Sequence, residues 1–140
     1  MAKTPLRKSK GTWVRSSSGK IPECAQAALR QRLALHAATP QYAGRCREVV
    51  VRFRGLYAYV DAFPVKDDIP PDASAEEIER IKATPIRLFR LGYVGDPNRW
   101  AFAFFKYSTE SYEPSLAMSG SFQATPEEAF DTGAVYLTAY

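Results

Sequence analysis

The sequence predicts an α+β domain, a curved antiparallel sheet of about five strands arranged as a hairpin plus a three-stranded meander, with helices at both ends and one between. Three observations carry that prediction. Trp100-Ala-Phe-Ala-Phe-Phe-Lys-Tyr107 is apolar on both faces of an extended chain, so it belongs inside a sheet. Turn clusters flank it, Gly95-Asp-Pro-Asn98 before and Ser108-Thr-Glu-Ser111 after, so its sequence neighbours pair with it. Helix signatures stand near both ends, Pro22 ahead of an Ala/Leu-rich run and Thr125-Pro126-Glu127-Glu128 ahead of Phe130, Ala134 and Leu137.

Taken in order, residues 1–20 hold six basic side chains, no acidic one and a Ser/Gly run, the composition of a flexible tail. The globular domain is expected over 21–140. Ser16-Ser-Ser-Gly-Lys20 is not a phosphate loop, because Gly11 is too far upstream and Ile21 stands where a metal-binding hydroxyl is required. The tail reads either as a solubilising arm or as one that grips phosphates, with Lys8, Lys10, Arg15 and Lys20 as its candidates.

Pro22 to Ala38 is a helix whose buried stripe is Ala25, Leu29 and Leu33. His36, the one histidine, has no evident acid partner and is expected on the surface near the helix end. Arg45 to Phe63 forms a hairpin about Gly55. Parity sets Val49, Val51, Phe53, Ala58, Val60 and Ala62 on one face. Glu48, Arg52, Arg54, Tyr57, Tyr59 and Asp61 fall on the other. Arginines opposite tyrosines form a platform suited to stacking a base or gripping a phosphate. Alternatively a helix covers the tyrosine rings and the acids neutralise the arginines.

An acidic loop follows, in which Asp67, Asp68 and Asp72 lack the glycine and closing glutamate of a calcium loop. Ser74-Ala-Glu-Glu77 is a capping box for a short helix anchored by Ile78 and Ile81 and stopped at Thr84-Pro85. In the meander Tyr93 pairs with Trp100, Leu91 with Phe102 and Phe89 with Phe104. Tyr107 is expected opposite Tyr112 and Phe105 opposite Pro114, with Leu116, Met118 and Phe122 across from Ala101 and Ala103. A sheet apolar on both sides requires cover on both, and the helices from the two chain ends are its expected cover.

Composition narrows the function. The 140 residues are 46% apolar and hold no run long enough to span a membrane. The basic start lacks the apolar stretch of a secretory leader, so a cytoplasmic location is expected. Cys24 and Cys46 are neither a CxxC pair nor a disulfide framework and are read as buried small hydrophobes. No cofactor or metal site is expected. Glu48 and Asp61 share a face, but neighbouring arginines should keep both ionised as structural ion pairs, so catalysis is not expected. The net charge of +4 hides an asymmetry: residues 1–60 carry twelve Lys or Arg and two acids, while 61–140 carry seven and thirteen. That asymmetry favours an acidic partner, nucleic acid or an acidic protein surface.

The stretch Gly95 to Ser108, together with Tyr112-Glu-Pro114, Ser119-Gly-Ser-Phe122, Thr125 to Asp131, Arg52-Phe-Arg54 and Tyr59-Val-Asp61, resembles a family of small hypothetical bacterial proteins. The resemblance runs from about Ile21 to Leu137. It implies a domain boundary after the tail and no activity, cofactor or catalytic residue. The expected function is therefore a non-catalytic binding protein that meets nucleic acid through the tail and Arg52, Arg54, Tyr57 and Tyr59. The alternative is a protein-interaction or adaptor module without nucleic-acid binding.

Overall fold

The computed structural model describes residues 19–137, so Lys8, Lys10 and Arg15 of the tail lie outside the described residues. The chain runs α1 (Glu23–Ala37), α2 (Pro40–Ala43), β1 (Cys46–Arg54), β2 (Tyr57–Pro64), α3 (Ala75–Ala83), β3 (Ile86–Asp96), β4 (Arg99–Lys106), β5 (Ser111–Pro114), β6 (Gln123–Ala124), α4 (Pro126–Gly133) and a 3₁₀ turn, Ala134–Tyr136. All strands pair antiparallel in one open sheet, ordered β1-β2-β3-β4-β5, with β6 also on β4. The short α2, begun by Thr39-Pro40, is an element that the sequence pattern does not announce.

Turn chemistry sets the register. Gly55 at φ +60 allows the two-residue Gly55-Leu56 turn, which pairs Arg54 with Tyr57 and Val51 with Val60. The β3–β4 pairs are those expected, Phe89 with Phe104, Leu91 with Phe102 and Tyr93 with Trp100. The β4–β5 turn keeps the four residues expected but starts one residue earlier, at Tyr107, which shifts the register by two and sets Phe105 opposite Tyr112 and Ala103 opposite Pro114. A slip of two preserves the faces.

The last strand of the meander is broken. After Pro114 the chain leaves the ladder, and β6 returns to pair Ala124 with Trp100. Helix α4 supplies the partners that the ladder no longer gives. The Met118 N–H donates to Thr132 Oγ1 at 3.1 Å and the Ser119 N–H to Glu128 Oε2 at 2.5 Å. Leu116, Met118 and Phe122 are consequently exposed, instead of packing across from Ala101 and Ala103.

The core lies on one face. Ala25, Leu29, Leu33 and Ala37 of α1 and Ala129 and Phe130 of α4 join Val51, Val60, Phe89, Leu91, Trp100 and Phe102 in a single buried cluster. The two helices also touch each other, so they share this face and do not cover one face each. Gly133 makes the approach of α4 possible, because a Cβ there would collide with the Phe89 ring. Helix α3 has its capping box between Ser74 and Glu77 but no fully buried residue.

Polar clamps lock the helix pair. Arg32 of α1 grips Glu127 of α4 with two hydrogen bonds, 2.9 and 2.6 Å, and donates to Pro97 O and Asn98 Oδ1 in the β3–β4 turn. This bidentate contact holds the Glu127 carboxyl below its ordinary range. One turn along, Asp131 Oδ1 meets His36 Nε2 at 2.7 Å and accepts from the Tyr42 hydroxyl at 2.5 Å. His36 therefore has the acid partner that the sequence did not reveal, because the two are 95 residues apart. Cys46 is buried as expected, whereas Cys24 is exposed on the outer side of α1.

Gly133→Ala should destabilise the domain by about 1–3 kcal/mol through overpacking against Phe89, read as a lower denaturation midpoint. Arg32→Ala should cost about 1–3 kcal/mol at neutral pH. Glu127 titrates lower in the fold than when unfolded, so its stabilisation is complete above the ordinary glutamate range and is lost as pH falls through the folded value. In Arg32→Ala that acid-side loss should shrink, as measured by urea melts across pH.

Candidate functional site

With both covering helices on one face, the opposite face carries its own cover of arginine and tyrosine. Two cross-strand rows build it. Arg52, Tyr59, Arg90 and Ala103 lie side by side on β1 to β4, and Arg54, Tyr57, Gly92 and Ala101 form the next row. A bulge between Val60 and Asp61 makes Leu88 an extra residue and sets Asp61 against Arg87. The Arg87 backbone is satisfied from outside the ladder: its N–H donates to the Tyr107 hydroxyl, and that hydroxyl donates to its carbonyl, both at 2.9 Å.

The side chains interleave. The Arg90 guanidinium stands 4.3 Å from the Tyr57 ring centroid and 5.7 Å from that of Tyr112, Arg52 lies 5.4 Å from Tyr59, and Arg87 lies 5.4 Å from Phe105. Tyr112 meets Tyr59 and Phe105 edge-on at 5.2 and 4.9 Å. Gly92 leaves room for the Tyr57 ring, which would come 3.4 Å from a Cβ at that position. Tyr57 is 42% exposed and Tyr59 half-buried. The tyrosines are thus covered by arginines and one another, not by α1 or α4.

Beneath this layer sits Asp61, 3% exposed and the one charged residue buried among the described residues. Its Oδ2 receives Arg52 Nε and Nη2 at 3.3 Å, while Oδ1 has no hydrogen-bond partner. The buried Tyr112 hydroxyl also has none. Burial pushes the Asp61 carboxyl above the ordinary aspartate range, outweighing the opposite pull of Arg52 and Arg87. The ion pair that the sequence predicts for Asp61 forms with Arg52, while burial raises the carboxyl above its ordinary range. The Tyr112 phenol is also raised, by burial first and by the Asp61 charge second.

The predicted site residues divide accordingly. Arg52, Arg54, Tyr57 and Tyr59 share the open face, whereas Lys20 lies apart from it, beside α1 and the hairpin tip, where the neighbouring Ile21 N–H donates to Gly55 O. Lys20 also lines an open recess of about 380 Å³ with Gln26, Arg30, Phe53 and Gly55, at the hairpin end of the sheet and apart from Asp61. Arg87, Arg90 and Tyr112 belong to the site although the sequence did not single them out. Arg90 was legible, since it alternates with Phe89 and Leu91. Tyr112 falls on that face in either register, but its place beside Tyr59 and Phe105 depends on the shifted β4–β5 pairing.

Among the described residues no group of three or more His, Cys, Asp or Glu is placed to hold a metal ion, and no helix is long and apolar enough to cross a membrane. No protein-family model, curated protein or solved structure matches the chain.

An acid whose pKa rises on folding leaves the native state holding more protons than the unfolded one between 3.8 and its folded value, so stability falls as pH rises through that window. Asp61→Asn should remove this slope. At neutral pH the variant should be as stable as the parent or more so, by about 1 kcal/mol. A loss of about 2 kcal/mol or more in thermal melts would contradict the desolvation account.

Proposed function

We propose that this chain is a binding protein for single-stranded nucleic acid, held through the Arg/Tyr sheet face and the basic tail. The observation that supports this most directly is the interleaving of Tyr57, Tyr59 and Tyr112 with Arg52 and Arg90 on the face free of α1 and α4. Aromatic rings accept a base by stacking whatever its identity, and guanidinium groups reach the phosphates on either side. A duplex hides its base faces, so exposed rings serve an unpaired strand better. Charge supports the same reading: residues 1–20 carry six Lys or Arg and no acid, and the Ile21 N–H that follows them donates to Gly55 O at the hairpin tip.

A protein partner is the second reading, favoured by the exposed side chains of Leu116, Met118 and Phe122 on the segment between β5 and β6. It places the contact on a different surface, so the two are separable.

Fluorescence anisotropy with labelled single- and double-stranded oligonucleotides across a salt series tests the proposal. The full chain should bind single strands more tightly, with log affinity falling linearly against log salt. Removal of residues 1–20, and separately Arg52→Ala/Arg90→Ala, should flatten that line by about 0.7 for each phosphate no longer neutralised. No binding near physiological salt, or a slope untouched by either change, would refute it and turn attention to Leu116, Met118 and Phe122.

A further inference from the structure

We infer that the recess at the hairpin end of the sheet is a binding site for a phosphate monoester, whose phosphate meets Lys20 and Arg30 while Phe53 and Gly55 receive its organic group. The inference does not rest on the nucleic-acid reading, because no residue lining the recess belongs to the two Arg/Tyr rows.

The recess gathers positive charge without an acid to offset it. Lys20, Gln26, Arg30, Phe53 and Gly55 line it, and no carboxylate does. Arg30 forms no ion pair with any described residue. Its guanidinium is held by neutral groups instead: Nη2 donates to Val51 O at 3.2 Å, and the Phe53 ring centroid lies 4.7 Å away. Arg32, on the same helix, is by contrast committed to Glu127, Pro97 and Asn98. One bond leaves most of the Arg30 fork for an anion.

The two cations are positioned before a ligand arrives. Lys20 is placed by the residue after it: the buried Ile21 donates its N–H to Gly55 O at 3.3 Å and accepts from Gln26 Nε2 at 3.0 Å. Pinning Ile21 at both backbone groups keeps Lys20 in the recess that Arg30 shares. Groups ordered in advance lose less freedom on binding.

Charge and size choose the ligand class. A phosphate monoester carries nearly two negative charges at neutral pH and three strong acceptor oxygens, so it can meet an ammonium and a guanidinium fork together. A carboxylate offers one charge to the same pair. The volume of about 380 Å³ is about a dozen times that of one water in the liquid, room for an organic group as well as the phosphate. Half-buried Phe53 and the bare backbone of Gly55 suit a flat, weakly polar group. Either a free monophosphate or the phosphorylated end of a nucleic-acid strand supplies this chemistry.

The test follows amide NMR shifts of the isotope-labelled full chain during titration with adenosine monophosphate, inorganic phosphate and adenosine. Adenosine monophosphate should give saturable shifts concentrated at Gln26, Arg30, Phe53 and Gly55. Inorganic phosphate should compete for the same amides, and adenosine should not bind. Lys20→Ala and Arg30→Ala, verified as folded by circular dichroism, should each weaken binding about tenfold, the loss of one charge-assisted hydrogen bond. Arg80→Ala, which removes a cation on α3, should leave it unchanged. Oligo-dT with and without a terminal phosphate separates the sources. A gain from that phosphate that Arg30→Ala abolishes assigns the site to strand ends, and binding of adenosine monophosphate without such a gain assigns it to free monophosphates. Absence of both would overturn the inference. So would equal affinity for adenosine, or an Arg80→Ala loss as large as that of Arg30→Ala, the mark of unspecific attraction.

Discussion

The rest of the molecule depends on the contact that holds α1 and α4 against the same side of the sheet. Arg32 joins α1, α4 and the β3–β4 turn through one guanidinium, and Asp131 ties α4 to His36 and Tyr42 one turn further on. These clamps are partly exposed, so their gain in free energy is modest beside the apolar burial they accompany. Their larger effect is on position. A rigid guanidinium fork bonded at three places fixes the rotation of both helices, and with it which side chains meet Phe89 and Phe102.

Committing both helices to one face leaves the other to solve its own burial problem. Phe105 and Ala103 on that side are almost wholly buried without either helix. Tyrosine rings and arginine stems supply the cover, an arrangement in which apolar carbon lies inward and polar tips face water. Each ring–guanidinium contact at an exposed site contributes about 0.5–1 kcal/mol, and two are linked here through Arg90. The layer that covers the sheet is therefore built from the same side chains on which the proposed binding rests.

Asp61 departs from this pattern because it carries a cost. A buried carboxylate with one unpaired oxygen is less favourable than the neutral side chain that could replace it. The bulge beside it places the acid against Arg87 and beneath Arg52, where its field reaches Tyr107 and Tyr112. A destabilising group at the centre of an otherwise self-satisfied layer is where local consistency gives way, and such sites are where function concentrates.

The sequence by itself determined the fold class, the strand pairing about Gly55 and Gly95-Asp-Pro-Asn98, the helix starts at Ser74 and Thr125, and the placing of Arg52, Arg54, Tyr57 and Tyr59 on one face. All of these follow from alternation, turn chemistry and capping, which act over a few residues. It left undecided what no local rule reaches. Which face each helix covers depended on Arg32 meeting Glu127 and on Gly133 admitting Phe89. The break between β5 and β6 brings the Met118 and Ser119 N–H groups to Thr132 and Glu128 of α4, contacts that no local pattern announces. The pairing of His36 with Asp131 joined residues far apart in the chain. The raised pKa of Asp61 needed burial as well as neighbours, because the opposite pull of Arg52 and Arg87 does not fully offset the loss of water around a buried carboxylate.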